Sequence, residues 1–197
     1  MTVSTKNVAR TTTVFNLPNQ LTTLRLALSV VLFALVAFEQ YVASFVVFLI
    51  AASTDWVDGY LARRFGMVTT LGRILDPFVD KIIVCGSFIF LATIPAMQPY
   101  LPAWMVVVIV GRELLVTALR SFLEQQGADF SAALSGKVKM VLQCVAIGVA
   151  LFFLSFPVET APAEIEWLLV ASIWAAVLIT IYSGVAYLRT AVNLLGG

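Results

Sequence analysis

Six apolar stretches of about 18–25 residues, each long enough to cross a hydrocarbon core of about 30 Å, occupy most of this 197-residue chain and dictate what it can become. They run near Leu21 to Phe38, Val42 to Leu61, Leu75 to Ile94, Pro102 to Leu123, Val138 to Phe156 and Ile165 to Tyr187. Hydrophobic residues make up 61% of the chain, which excludes an ordinary soluble domain and fits a polytopic membrane protein. The expected fold is therefore all-α, with six transmembrane helices forming one compact domain over residues 16–197. Residues 1–15 are polar and Thr-rich and read as a short cytoplasmic arm. No cleavable signal peptide is expected, because the first apolar run has full span length and ends without a small-residue cleavage site.

The formal net charge of +1 hides a strong polarisation. When the spans are threaded in alternation, all twelve Lys and Arg residues fall toward one face: Lys6, Arg10 and Arg25, then Arg63, Arg64, Arg73 and Lys81, then Arg112, Arg120, Lys137 and Lys139, and finally Arg189. The opposite connections, near Glu39, Pro95 to Leu101 and Pro157 to Glu166, hold acidic residues or none. By the positive-inside rule both termini are cytoplasmic. Cys85 and Cys144 lie within spans and read as small buried hydrophobes rather than a disulfide or metal pair.

Against this background four aspartates, Asp55, Asp58, Asp76 and Asp80, need a cause. A carboxylate in mid-membrane costs about 2.5–3.5 kcal/mol on insertion scales, so the four together represent roughly 10 kcal/mol that packing does not return. Asp55 and Asp58 are three apart and Asp76 and Asp80 four apart, which puts each pair on one helix face. Counting outward from the short connection between the two helices, with a rise of about 1.5 Å per residue, places the four in two matched layers roughly 10–15 Å inside the cytoplasmic end. The layers are expected to face one another.

Four anions at one level require cations, and the chain contains no histidine to act as an alternative ligand. Oxygen-only ligands favour Mg2+, Mn2+ or Ca2+, with magnesium foremost. Gly59, Ala62, Gly66 and Gly72 remove bulk where a large ligand could approach the backbone. Together these residues suggest a diphosphate bridged by metal to carboxylates, with Arg63 and Arg64 as further countercharge. A lone aspartate in a span often does no more than face a polar cavity, and single small residues more often serve helix packing. The fixed spacing of eight specified residues over 26 positions is what lifts the pattern above those readings.

The string Thr54-Asp55-Trp56-Val57-Asp58-Gly59-Tyr60-Leu61-Ala62-Arg63, continued through Gly72 and Asp76 to Asp80, resembles the signature of the CDP-alcohol phosphotransferases. The resemblance runs from Asn16-Leu17-Pro18-Asn19, with Thr22, Thr23 and Arg25, to Gly136-Lys137-Val138-Lys139. It implies a reaction in which an acceptor alcohol attacks the lipid-side phosphorus of a CDP-linked lipid and releases CMP. It implies two divalent ions, Mg2+ or Mn2+, on Asp55, Asp58 and Asp76, with Asp80 contributing in some members. Asp80 is the expected general base. The CDP-lipid, here CDP-diacylglycerol, is expected against Asn19, Thr23, Gly59, Ala62, Arg63, Gly66, Thr69 and Gly72.

Outside the shared signature, Gly111-Arg112-Glu113-Leu114-Leu115, Leu119-Arg120 and Gly136-Lys137-Val138-Lys139 with Gln143 are similar to the phosphatidylglycerophosphate synthase branch of that family. Its acceptor, sn-glycerol 3-phosphate, carries a dianionic head and requires a basic pocket. Arg112 and Arg120 lie within about 80° of each other around a helix and are expected to bind that head with Lys137 and Lys139. The lysines read equally as positive-inside anchors and Arg120 as a snorkelling side chain. Arg112 is deeper and needs an anion, either substrate phosphate or a carboxylate from across the bundle. Met140, in place of a common threonine, and Phe78-Val79, in place of Leu-Ala, depart mildly from the branch pattern. Inositol phosphate or phosphatidylglycerol are alternative acceptors, and an intramembrane prenyltransferase or a cation transporter are alternative functions. The transporter would need a polar path to the far side, which the spans lack. The resemblance also implies a homodimer, and the six-span chain suggests a bacterial inner membrane with the active site facing the cytoplasm. No nucleic-acid partner is expected.

Overall fold

The computed structural model describes the backbone of residues 17–65, 70–125, 134–157 and 161–195, and the side chains of 20, 22–54, 78–123, 136–157 and 161–193. Six α-helices account for nearly all of these: α1 (Leu17–Ala37), α2 (Tyr41–Phe65), α3 (Thr70–Thr93), α4 (Ala103–Gln125), α5 (Leu134–Leu154) and α6 (Ala163–Leu195). One 3-10 turn, Pro95–Met97, joins α3 to α4, and no strand occurs among the described residues.

Local chemistry explains several helix ends. Pro18 occupies the first turn of α1, where its missing amide would have no intrahelical acceptor in any case. The α1–α2 turn is tight because Glu39 takes a left-handed conformation, φ 58°. The Glu39 amide then donates to the Val36 carbonyl at 3.0 Å and the Gln40 amide to the Leu35 carbonyl at 2.8 Å, which closes the helix in a Schellman arrangement without glycine. Pro102 precedes α4, and the Met105 amide turns back to its carbonyl at 3.0 Å.

The helices close on one another in the spatial order α1, α2, α5, α6, α4, α3, with α3 also touching α5. A core built from all six fills the interior, including Leu32, Phe48, Phe88, Ile109, Ile147, Leu151 and Ile173. Small residues such as Ala51, Ala146, Ala150 and Ala176 are fully buried there and let backbones approach closely. Buried hydroxyls are satisfied within their own helices: Ser29 donates to the Arg25 carbonyl at 2.8 Å, and Thr180 to the Ala176 carbonyl at 2.6 Å. Gln143 on α5 donates to Thr180 on α6 at 2.9 Å, a cross-helix bond between groups that would otherwise be stranded.

Many large apolar side chains lie on the exterior. Val30, Val46, Val107, Leu114, Val141, Trp174, Leu178 and Val192 are all exposed, drawn from α1, α2, α4, α5 and α6. Two helical stretches, Gly136–Leu154 and Ala163–Asn193, are long and apolar enough to cross a membrane, and Thr22–Ala37 and Tyr41–Thr54 are shorter apolar stretches of the same kind. In lipid an α-helix satisfies its own backbone, so such a surface is compatible with a bilayer as solvent.

The helices follow the six apolar runs with one clear difference. α6 continues well past Tyr187, to Leu195. A second, smaller core holds it there: Ala191 and Tyr187 pack with Val116 and Leu123 of α4.

Candidate active site

Asp55 and Asp58 lie in the second half of α2, and Asp76 and Asp80 are one turn apart in the unbroken first half of α3. The side chains of Asp55, Asp58 and Asp76 lie outside the described residues, as do those of Asn19, Gly59, Ala62, Arg63 and Gly72. Gly66 and Thr69 lie outside them altogether. The two-layer arrangement expected from the sequence therefore falls outside what the structure describes.

Asp80 is described, and its partner comes from a third helix. The Arg25 guanidinium of α1 donates through Nη1 to Asp80 Oδ1 at 2.5 Å; the Arg25 side chain is 3% exposed and that of Asp80 30% exposed. Close α1–α3 packing makes this reach possible. Two turns beyond Arg25, the ring of Phe33 lies directly over Gly86, where an added Cβ would sit 2.2 Å from Phe33 Cζ. Phe33 is held in turn by stacking on Phe90, with centroids 5.0 Å apart and planes at 6°. Gly86 thus lets α1 approach α3 closely, with Arg25 at Asp80. Thr23, on the same helix, is exposed.

A second polar centre lies between α4, α5 and α6. Glu113, buried in α4, accepts from Arg112 Nη1 at 3.2 Å and from Lys139 Nζ of α5. Tyr187 of α6 serves both arginines: its ring centroid is 5.4 Å from Arg112 Cζ and 5.9 Å from Arg120 Cζ, and its hydroxyl accepts from Arg120 Nη2 at 3.1 Å. Two glycines make room. A Cβ on Gly184 would meet Arg112 Cγ at 3.1 Å, and one on Gly136 would meet the Tyr187 hydroxyl at 3.3 Å. Lys137 is exposed and forms no ion pair among the described residues. The structure thus brings Arg112, Arg120 and Lys139 together and leaves Lys137 outside their cluster.

Three cations and one carboxylate share this cluster, which suits an anionic ligand. The Nε atoms of Arg112 and Arg120 are buried without a hydrogen-bond partner among the described residues, and buried donors of that kind normally find one. The cluster also borders the aspartate helix: Cys85, just over one turn beyond Asp80 on α3, lies within electrostatic reach of Glu113, Lys139 and Lys81.

Sequence reasoning overlooked two members of this centre. It sought the Arg112 counter-ion in substrate or across the bundle, whereas the carboxylate belongs to the next residue. Neighbours at i, i+1 do not face each other on a helix, yet the length of Arg112 carries its guanidinium round to Glu113. The signal was available, since Glu113 is a fifth carboxylate in an apolar span and invites the insertion-cost argument made for the aspartates. Tyr187 carried no such signal.

Oxygen donors without histidine fit a hard divalent cation better than zinc or copper. Asp80 supports that fit, being a partly exposed carboxylate one helical turn from Asp76 in a largely apolar bundle. Among the described side chains no acidic or sulfur group of three or more could by itself hold a metal. The cation would depend on Asp55, Asp58 and Asp76 together with Asp80.

An all-helical bundle carrying this aspartate spacing on two helices and a basic centre beside them belongs to the CDP-alcohol phosphatidyltransferase family, whose model matches residues 15–182. Among its relatives is the CDP-diacylglycerol–glycerol-3-phosphate 3-phosphatidyltransferase of Bacillus subtilis (strain 168), 36% identical over 88% of this chain and 93% of that protein. A Mycobacterium tuberculosis (strain CDC 1551 / Oshkosh) protein named "Probable phosphatidylglycerophosphate synthase" is 36% identical over 98% of this chain and 90% of its own length. A Salmonella choleraesuis (strain SC-B67) protein with the same name as the Bacillus one is 34% identical over 90% and 95%.

Proposed function

We propose that this protein is an integral-membrane phosphatidyltransferase that moves the phosphatidyl group of CDP-diacylglycerol to sn-glycerol 3-phosphate, yielding phosphatidylglycerophosphate and CMP. The observation that carries the acceptor assignment is the convergence of Arg112, Arg120 and Lys139 beside the aspartate helix, in a chain whose relatives bear the name of that reaction.

In this reading Asp55, Asp58, Asp76 and Asp80 hold two Mg2+ or Mn2+ ions, which when bound supply countercharge to the diphosphate and to the leaving CMP oxygen. Asn19, Thr23, Gly59, Ala62, Arg63, Gly66, Thr69 and Gly72 receive the CDP-lipid. Arg112, Arg120, Lys139 and, at the exposed rim, Lys137 bind the acceptor phosphate and aim its primary hydroxyl at the lipid-side phosphorus. Asp80 accepts the hydroxyl proton as the new P–O bond forms and the bond to CMP breaks, the electron pair leaving on CMP. Arg25 orients that carboxylate from α1.

The six helices cross a bacterial inner membrane with both termini and the active site toward the cytoplasm. The lipid tails then stay in the bilayer while nucleotide and acceptor meet water. The one-sided distribution of Lys and Arg and the apolar exterior support that placement. The protein acts as a homodimer, a reading that rests on the family resemblance.

An acceptor screen tests the assignment. Protein in detergent with CDP-diacylglycerol and Mg2+ or Mn2+ is expected to release CMP with sn-glycerol 3-phosphate; release with inositol phosphate or phosphatidylglycerol but not with glycerol 3-phosphate would overturn it. Asp80→Asn is expected to abolish turnover while CDP-lipid binding persists, and near-normal turnover would remove Asp80 as base.

A further inference from the structure

We propose that Glu113 and Tyr187 are positioning residues for the acceptor's phosphomonoester group, holding the cations of α4 and α5 in one converging geometry. The inference rests on the acceptor-site reading above and extends it to two residues that bind no substrate themselves.

Glu113 stands where two cations from different helices meet. Its Oε1 atom receives both Arg112 Nη1, from its own helix, and Lys139 Nζ, from α5. All three side chains are at least nine-tenths buried, with 9%, 9% and 8% exposure for Arg112, Glu113 and Lys139. A long ammonium side chain in such surroundings has many rotamers, and one shared carboxylate oxygen selects the rotamer that meets Arg112. The residual charge is also suited to the ligand class. Arg112, Arg120 and Lys139 set against Glu113 alone leave an excess of positive charge within the buried cluster, which suits an anionic phosphomonoester.

Tyr187 plays the same part for the guanidinium groups. An aromatic ring within cation–π distance attracts a guanidinium without itself accepting the in-plane N–H donors that a phosphate would use. Tyr187 lies within cation–π distance of both arginines, and its hydroxyl fixes Arg120 Nη2. The Nε edges of Arg112 and Arg120 remain without partners among the described residues. The room needed for this arrangement comes from Gly184 against Arg112 and Gly136 against the Tyr187 hydroxyl.

The test uses full-length protein in detergent micelles and four variants: Glu113→Gln, Glu113→Asp, Tyr187→Phe and Arg112→Ala. For each, kcat and KM are measured for sn-glycerol 3-phosphate and for CDP-diacylglycerol, with the inhibition constant of inorganic phosphate as a substrate-independent probe. Positioning by Glu113 predicts that Gln and Asp both raise the acceptor KM about 10-fold or more, as expected when a charge-assisted contact to an anion is misaligned. The phosphate inhibition constant should rise in parallel and the CDP-diacylglycerol KM stay within about 2-fold. Tyr187→Phe, which keeps the ring and loses only the hydroxyl, is expected to raise the same two constants about 3- to 10-fold.

A Glu113→Gln protein with unchanged or lower acceptor KM would mean that Glu113 merely reduces the pocket's charge, and would overturn the proposal. Equal rises for both substrates would overturn it too, as the mark of a structural role. Should Glu113→Gln fail to fold, Glu113→Asp and Tyr187→Phe decide the matter by the same criteria. Arg112→Ala separates the two levels: if it leaves the acceptor constants unmoved, the acceptor-site reading fails, whereas a selective effect of Arg112→Ala without one of Glu113→Gln refutes only the positioning.

Discussion

Arg25→Ala removes the guanidinium that meets Asp80 at 2.5 Å and leaves a carboxylate among apolar helices. Two unit charges about 4 Å apart interact with about 4 kcal/mol at an effective dielectric of about 20. Breaking a fully buried pair costs about 3–5 kcal/mol, whereas an exposed pair contributes about 0–1 kcal/mol. The Arg25 side chain is 3% exposed and Asp80 30% exposed, so the pair falls between these limits, at about 1–3 kcal/mol. For a chain of this length each kcal/mol moves the unfolding midpoint by about 2–4 °C, so the single variant should unfold about 2–12 °C lower. Asp80→Asn, which leaves the guanidinium buried beside a neutral amide, should lose a comparable amount. Thermal unfolding in detergent, followed by tryptophan fluorescence, is measured for the wild type, both single variants and the double variant. The double variant is expected to lose clearly less than the sum of the two single losses. If instead the two losses add to within about 0.5 kcal/mol, the pair carries no coupling energy, and α1 does not hold Asp80 in the way described.

Gly86→Ala places a Cβ 2.2 Å from Phe33 Cζ, and Phe33 cannot yield freely because it stacks on Phe90. Overpacking of this kind costs about 1–3 kcal/mol, and Phe33→Leu in the same chain should restore most of the unfolding midpoint; no loss in the single variant would contradict the close α1–α3 contact. Tyr100, in the α3–α4 connection, donates its hydroxyl to Glu166 Oε1 at 2.6 Å. That bond, followed by burial, raises its pKa above the ordinary 10.0. The protonated form makes the contact, so its contribution is complete below about pH 10 and disappears as pH climbs through the raised value. The phenolate absorbance lost in Tyr100→Phe should therefore titrate above pH 10, and titration at or below it would contradict the bond.

The helices were legible because the apolar runs are long and cleanly separated, so their ends fall within a few residues of the helix ends everywhere except in α6. There the continuation rests on Ala191 meeting Val116 and Leu123, a contact between helices distant in sequence that no local pattern announces. The spatial order α1, α2, α5, α6, α4, α3 was equally invisible, because side-chain periodicity says which face is buried and not which helix buries it. The aspartates drew notice through their spacing. Arg25 was visible as a basic residue near a cytoplasmic end and as part of the stretch that carries the family resemblance, but its pairing with Asp80 was not, because that depends on α1 and α3 packing closely where Gly86 admits Phe33. Arg112, Arg120 and Lys139 were singled out by motif, and Glu113 carried an insertion-cost signal, but their linkage through Glu113 and Tyr187 emerges only where α4, α5 and α6 meet.

Isotopic transfer measures the proposed reaction most directly. Purified protein in CDP-diacylglycerol micelles with Mg2+ is given sn-glycerol 3-phosphate labelled in its glycerol carbons, and label in the lipid fraction is compared with CMP released. Equal molar amounts are expected, with the label in phosphatidylglycerophosphate and both signals lost in Asp80→Asn. CMP release without lipid-borne label, or label entering lipid without CMP, would contradict it.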